Sequence, residues 1–153
     1  MTNSSTSAAS ALPSTPIVLI TGGSRGLGRS AALAAARTGI DVVLTYRQQA
    51  AEAQAVVAEI EALGRRAVAL PLDVGDVRSF EGFAAQLTQA LQTHWQRDRF
   101  DFLVNNAGMG VHASITDTTE AQFDALVNVH LKGVFFLIQR LLPLMNDGGR
   151  ILN

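Results

Sequence analysis

The 153-residue sequence has no cysteine. That excludes a disulfide framework and any thiolate-bound metal, and it suits a reducing compartment, the cytoplasm. Charge of either sign is scarce: 12 Lys and Arg stand against 13 Asp and Glu, for a net charge of −1. The basic residues are scattered and form no tract, so neither nucleic acid nor an anionic membrane surface is expected as a partner. No uninterrupted apolar run approaches the ~18 residues of a membrane span. The opening stretch, residues 1–15, lacks both a positive segment and an apolar one, so it is not read as a secretory signal. Its Ser, Thr and Ala residues cannot bury enough surface to order themselves, and a disordered tail is expected there. Three histidines without acidic partners at ligand spacing give no metal site.

What is present is apolar: 48% of residues, with a mean hydropathy of +0.21. Such a balance suits a parallel sheet covered on both faces, in one domain over residues 16–153. Ile17–Ile20 is a short β-branched run, and Arg29 to Thr38 is rich in Ala and Leu and stops at Gly39. Asp41–Tyr46 is the second strand, followed by helical spacing from Gln48 to Leu63. Ala67–Leu72 is the third strand, and its late Pro71 points to a sheet edge. Asp76 can cap a helix running to about Gln96. Phe100–Val104 is the fourth strand. A long helix is expected from Thr118 or Thr119 to about Met145, then a turn at Asn146–Gly149 and a fifth strand from Arg150. Alternating strands and helices with short links imply right-handed crossovers and a Rossmann-type, doubly wound α/β sheet of order 3-2-1-4-5. Its ligand crevice should open where the order reverses, at the carboxyl ends of strands one and four.

Between strand one and helix one lies Thr21-Gly-Gly-Ser-Arg-Gly-Leu-Gly28. Gly22, Gly26 and Gly28 let the backbone turn tightly and approach a pyrophosphate, and the helix N-terminus offers it N–H groups and a positive dipole end. An acid at the end of strand two would accept from a ribose 2′-hydroxyl, but Tyr46 and Arg47 stand there. Arg25 and Arg47 can instead pair with a 2′-phosphate.

The glycine spacing after Thr21, together with Leu103-Val-Asn-Asn-Ala-Gly108 and Leu72-Asp-Val74, resembles the short-chain dehydrogenase/reductase family from Ile17 to Asn153. The resemblance implies an NADP(H)-dependent oxidoreductase acting on a small-molecule carbonyl or secondary alcohol, and a homo-oligomer when complete. It implies cofactor contacts from Gly22, Ser24, Arg25, Gly26, Leu27 and Gly28, and from Tyr46 and Arg47. It adds Asp73 and Val74 near the adenine, and Asn105, Ala107 and Gly108 along the cleft. The family's catalytic Ser and its Tyr-x-x-x-Lys pair have no counterpart here, because the only tyrosine, Tyr46, has no Lys four residues on. The expectation is a sheet truncated after strand five that supplies the cofactor-binding half without the catalytic centre. A nucleotide-binding pseudoenzyme or a non-functional fragment is the alternative.

Counting from Phe123 and Lys132 places His130 at the family's catalytic Asn position rather than Asn128. Two residues are about 200° apart around a regular helix, so only one of them can face the site. His130 is therefore the tentative catalytic residue, set against a substitution that merely packs. His94 is expected at the surface or in packing, His112 near a substrate pocket at most, and Phe80, Phe83, Phe135 and Phe136 in the core.

Overall fold

The computed structural model describes residues 14–153, so most of the expected tail lies outside the described residues. Five strands form one parallel sheet in the expected order, β3-β2-β1-β4-β5. They are β1 (Ile17–Ile20), β2 (Asp41–Tyr46), β3 (Ala67–Pro71), β4 (Phe100–Val104) and β5 (Met145–Leu152). The helices are α1 (Gly26–Arg37), α2 (Ala50–Ala62), α3 (Phe80–Trp95), α4 (Glu120–Val127) and α5 (Gly133–Leu141).

The two faces of β1 explain why its sequence is apolar without alternation. Ile17 and Leu19 join α3 and α5 through Phe80, Phe83, Leu87, Leu91, Leu137 and Leu141. Val18 and Ile20 point the other way, onto Ala32, Leu33 and Ala36 of α1 and Val56 and Ile60 of α2. A strand covered on both sides has no polar side to show. Pro71 does lie on an edge strand, where its missing N–H is harmless.

Four expectations change. First, α1 opens three residues earlier than Arg29, at Gly26, so the glycine loop itself supplies its first turn. Second, β5 begins at Met145, not Arg150. Asn146–Gly149 is a bulge, with a register shift between Phe100 and Phe102 on the partner strand. Gly148 has φ +79° and Gly149 has room for no Cβ, which would lie 2.5 Å from the Asp101 carbonyl oxygen. A turn-like sequence is thus used to bulge a strand. Third, Asp76 caps a 3₁₀ turn, Val77–Ser79, that leads into α3. Fourth, Phe135 and Phe136 are not core: they are 60% and 37% exposed.

Residues 120–144 form a nearly continuous helical stretch that is, by length and composition alone, long and apolar enough to cross a bilayer. In the fold its Val129, Leu137 and Leu141 are buried, the two leucines within the core of β1, β4 and α3. It starts at a capping box: Gln122 N–H donates to Thr119 Oγ1, and Thr119 N–H donates to Gln122 Oε1. A π turn, Asn128–Lys132, interrupts it, with Gly133 N–H donating to the Asn128 carbonyl.

Candidate functional site

A cleft of about 590 Å³ opens at the carboxyl ends of β1 and β4. There the crossovers leave in opposite directions, which opens a crevice between the loops that follow the two strands. Thr21 closes the floor. Its N–H donates to the Val104 carbonyl at 3.0 Å, and its Oγ1 accepts from Ala107 N–H at 3.0 Å. Thr45 Oγ1 accepts from Gly22 N–H at 3.2 Å, so the glycine loop is held from both neighbouring strands.

The three glycines serve different ends. Gly22 and Gly26 have φ of +67° and +57°, where a side chain would be strained. At Gly28 space is the constraint, because a Cβ would lie 2.2 Å from the Gly22 carbonyl oxygen and 2.5 Å from Asn106 Nδ2. The first turn of α1 thus lies directly over the end of β1. Its N-cap, Arg25, is extended and offers no side-chain acceptor, and no acid occupies the first turn. The leading N–H groups and the positive dipole end of α1 are left facing the cleft, an arrangement that receives an anion.

Of the residues expected from sequence, the cleft brings together Gly22, Ser24, Arg25, Leu27, Gly28, Tyr46, Arg47, Asp73, Val74, Ala107 and Gly108. Gly26 shapes the loop without lining the cleft. Asn105 turns away toward β5: its N–H donates to the Leu152 carbonyl at 2.8 Å and its Nδ2 to Asn153 Oδ1 at 2.7 Å. Its neighbour Asn106 faces the cleft and donates through Nδ2 to the Thr21 and Gly22 carbonyls at 2.9 and 3.1 Å. Alternation along an extended chain makes one of two adjacent asparagines face each way, which identical residue types conceal. Thr45, Leu72, Met109 and Val129 also line the cleft and were not expected. Thr45 could have been found as the one polar residue inside the apolar run of β2.

Asp73 Oδ1 accepts from Gly75 N–H at 2.9 Å, which tightens the turn after β3. His130 does not line the cleft. Its Nε2 lies 2.7 Å from the Met109 carbonyl oxygen and 3.2 Å from Met109 N. His94 is exposed at the end of α3, stacked at a tilt on Trp95, and His112 is exposed outside the cleft lining.

A profile described as short chain dehydrogenase matches residues 16–153. Among characterised proteins the chain is similar to a tetrahydroxynaphthalene reductase of Pestalotiopsis fici, 35% identical over 136 residues, which are 89% of this chain and 47% of that protein. Among solved structures it is similar to a short chain dehydrogenase from Burkholderia cenocepacia J2315 in complex with NADP. That match has 39% identity and a TM-score of 0.80, over 90% of this chain and 54% of the other. A landomycin C-6 ketoreductase with bound NADP and rabelomycin matches at 33% identity and a TM-score of 0.86, over 90% of this chain and 56% of the other. The chain spans about half the length of these relatives.

Proposed function

The chain belongs to the short-chain dehydrogenase family, and from that premise we propose that it serves an NADP(H)-dependent oxidoreductase interconverting a carbonyl and a secondary alcohol on a small molecule. The observation that carries the reading is the uncapped start of α1 lying over Gly22 at Gly28, a cradle that a single Cβ would fill. A pyrophosphate fits there because backbone N–H groups can reach it and no carboxylate competes. Ser24, Gly26 and Leu27 belong to the same loop and would hold the pyrophosphate with it. Tyr46, Arg47 and Arg25 would hold the phosphorylated ribose, and Asp73 and Val74 would receive the adenine. Ala107 and Gly108 line the inner wall, which Asn106 ties to the glycine loop. When bound, the dinucleotide supplies or accepts hydride at the substrate carbon.

The choice of NADP(H) over NAD(H) rests on charge. Two guanidiniums flank the mouth of the cleft and the strand-two position carries no acid to accept from a 2′-hydroxyl. Relatives that are a reductase and a ketoreductase, the latter with bound NADP, favour an oxidoreductase over a module that only binds nucleotide. Fluorescence titration with NADPH and NADH tests the proposal. A charge-assisted contact is worth about 1.5–3 kcal/mol, so NADPH should bind about one to two decades more tightly. The margin should shrink as salt rises. Equal affinities at low salt would refute the choice of cofactor.

The proposal extends to a homo-oligomer. Phe123, Leu131, Phe135 and Leu142 are all more than half exposed along the helical stretch from α4 to α5. Exposed apolar side chains gathered on one element mark an interface. Sedimentation of the protein should give more than one copy per particle, and Phe135→Glu should reduce it. A monomeric wild type would exclude this part.

A further inference from the structure

We propose that His130 is a positioning residue that pins the wall of the cleft at Met109 and so sets how tightly the cleft holds its dinucleotide; the second half rests on the reading of the cleft given above. The wall segment is Gly108-Met-Gly110, and all three residues line the cleft. Met109 stands between two glycines, the residues that lose most freedom when held in one conformation. Met109 is itself exposed, and its own side chain gives it little anchorage. Among the described residues its hydrogen bonds go to one imidazole nitrogen: His130 Nε2, 2.7 Å from the Met109 carbonyl oxygen and 3.2 Å from its N.

That nitrogen faces an acceptor and a donor at once, and it can serve only one of them in a given protonation state. The shorter contact is to the carbonyl, which assigns Nε2–H as the donor. The ring sits close against Gly108, where a Cβ would lie 2.9 Å from His130 Cε1. Gly108 is thus glycine so that the imidazole can reach past it.

The π turn explains why His130 can do this while staying out of the cleft. One extra residue per turn re-phases the helix at Asn128–Lys132. Val129 is buried and lines the cleft, with its Cγ2 3.2 Å from where a Gly75 Cβ would be. Gly133 packs on the Val74 carbonyl, where a Cβ would lie 2.0 Å from its oxygen. The same turn therefore rests on the segment after β3 through Val129 and Gly133, and on the segment after β4 through His130. It couples the two rims of the cleft.

The test uses the full chain with His130→Ala and His130→Gln. Glutamine reaches as far as the imidazole, and its amide can donate to the Met109 carbonyl. Loss of one hydrogen bond of this kind should weaken NADPH binding about three- to tenfold in His130→Ala, and His130→Gln should recover most of it. Amide exchange at Met109 and Gly110 should accelerate in His130→Ala while the strands keep their protection. Wild-type affinity and exchange in His130→Ala would overturn the proposal. So would a general loss of protection across the sheet that His130→Gln fails to restore, since that marks a merely structural side chain. If the wild type binds no NADPH, the dinucleotide reading fails, and the exchange comparison still decides whether His130 pins the segment.

Discussion

Arg47 is exposed at the end of β2, and among the described residues it takes part in no ion pair. Its guanidinium is therefore available to a 2′-phosphate at little cost in broken contacts. Arg47→Asp should remove that attraction and place a repelling charge there, lowering NADPH affinity by at least about one to two decades while NADH binding holds or tightens, since an acid there can accept from the 2′-hydroxyl. Gly28→Ala should behave differently. The added methyl meets the Gly22 carbonyl oxygen at 2.2 Å, backbone that cannot swing aside, so NADPH and NADH should weaken together. Paired titrations of both variants separate selectivity from access. An Arg47→Asp protein that keeps its preference for NADPH would move the phosphate site elsewhere, Arg25 being the next candidate.

Asp76 decides how α3 begins. Its Oδ1 accepts from Arg78 N–H at 3.2 Å and from Arg78 Nε at 2.8 Å, and its Oδ2 accepts from Arg78 Nη2 at 3.2 Å. The side-chain hydrogen bond from Arg78 is the main reason its carboxyl is held below the usual range. The Arg78 backbone N–H and charge add to this, and desolvation opposes it. Because the folded value is depressed, the stabilisation is complete above the unfolded value of ~3.9 and is lost as pH falls through the folded one. Asp76→Asn keeps a cap acceptor and removes the charge. Urea unfolding should therefore give a constant difference between the two proteins above about pH 5 that closes below about pH 4; a difference that grows in acid would reverse the sign argued here. The start of this helix was legible in part, as an acid before an apolar stripe without its intervening 3₁₀ turn, and the first four strands were legible as apolar runs that stop at Thr21, Arg47, Asp73 and Asn105. The beginning of β5 was not, because Asn-Asp-Gly-Gly reads as a turn and only the Asp101 carbonyl beside Gly149 makes it a bulge. The π turn at His130 was equally hidden. One inserted residue shifts the helical phase without altering the type of any side chain, and the exposure of Phe135 and Phe136 follows from packing that hydropathy does not encode. In the cleft, the glycines and arginines could be read because each type has few uses in such a loop, whereas Asn106 and Met109 are placed by backbone direction alone.

At the scale of the whole molecule, the two ends of the sheet do separate work. The carboxyl ends are open and form the cleft, while two carboxylates bind the amino ends together. Asp101 accepts from Ile17 N–H at 2.8 Å, from Arg97 at 3.1 Å and from Asn146 Nδ2 at 2.7 Å, joining β1, β4 and β5. Asp41 is fully buried and accepts from Trp95 Nε1 at 2.8 Å, from Arg66 N–H at 3.0 Å and from Arg66 Nε at 3.2 Å, with Arg65 Nε 3.2 Å away. It ties the start of β2 to the segment entering β3 and to the last turn of α3, with the Arg66 guanidinium 5.7 Å from the Trp95 ring centroid. From Asp41 to Tyr46 the strand covers roughly 17 Å, at about 3.3 Å per residue, so damage at one end need not reach the other. Asp41→Ala leaves a buried indole N–H and a backbone N–H without their acceptor. Breaking a buried charge pair costs about 3–5 kcal/mol; the lower end applies because Arg66 is half exposed and keeps part of its hydration. At about 2–4 °C per kcal/mol, the melting temperature should fall by roughly 10 °C. Trp95, the only tryptophan in the chain, reports the transition directly. Below that transition the variant should bind NADPH within about twofold of wild type, because no cleft residue has lost a contact. An Asp41→Ala protein that melts with the wild type, or that loses NADPH binding while still folded, would mean that the two ends of the sheet are coupled and that the division of work between them is wrong.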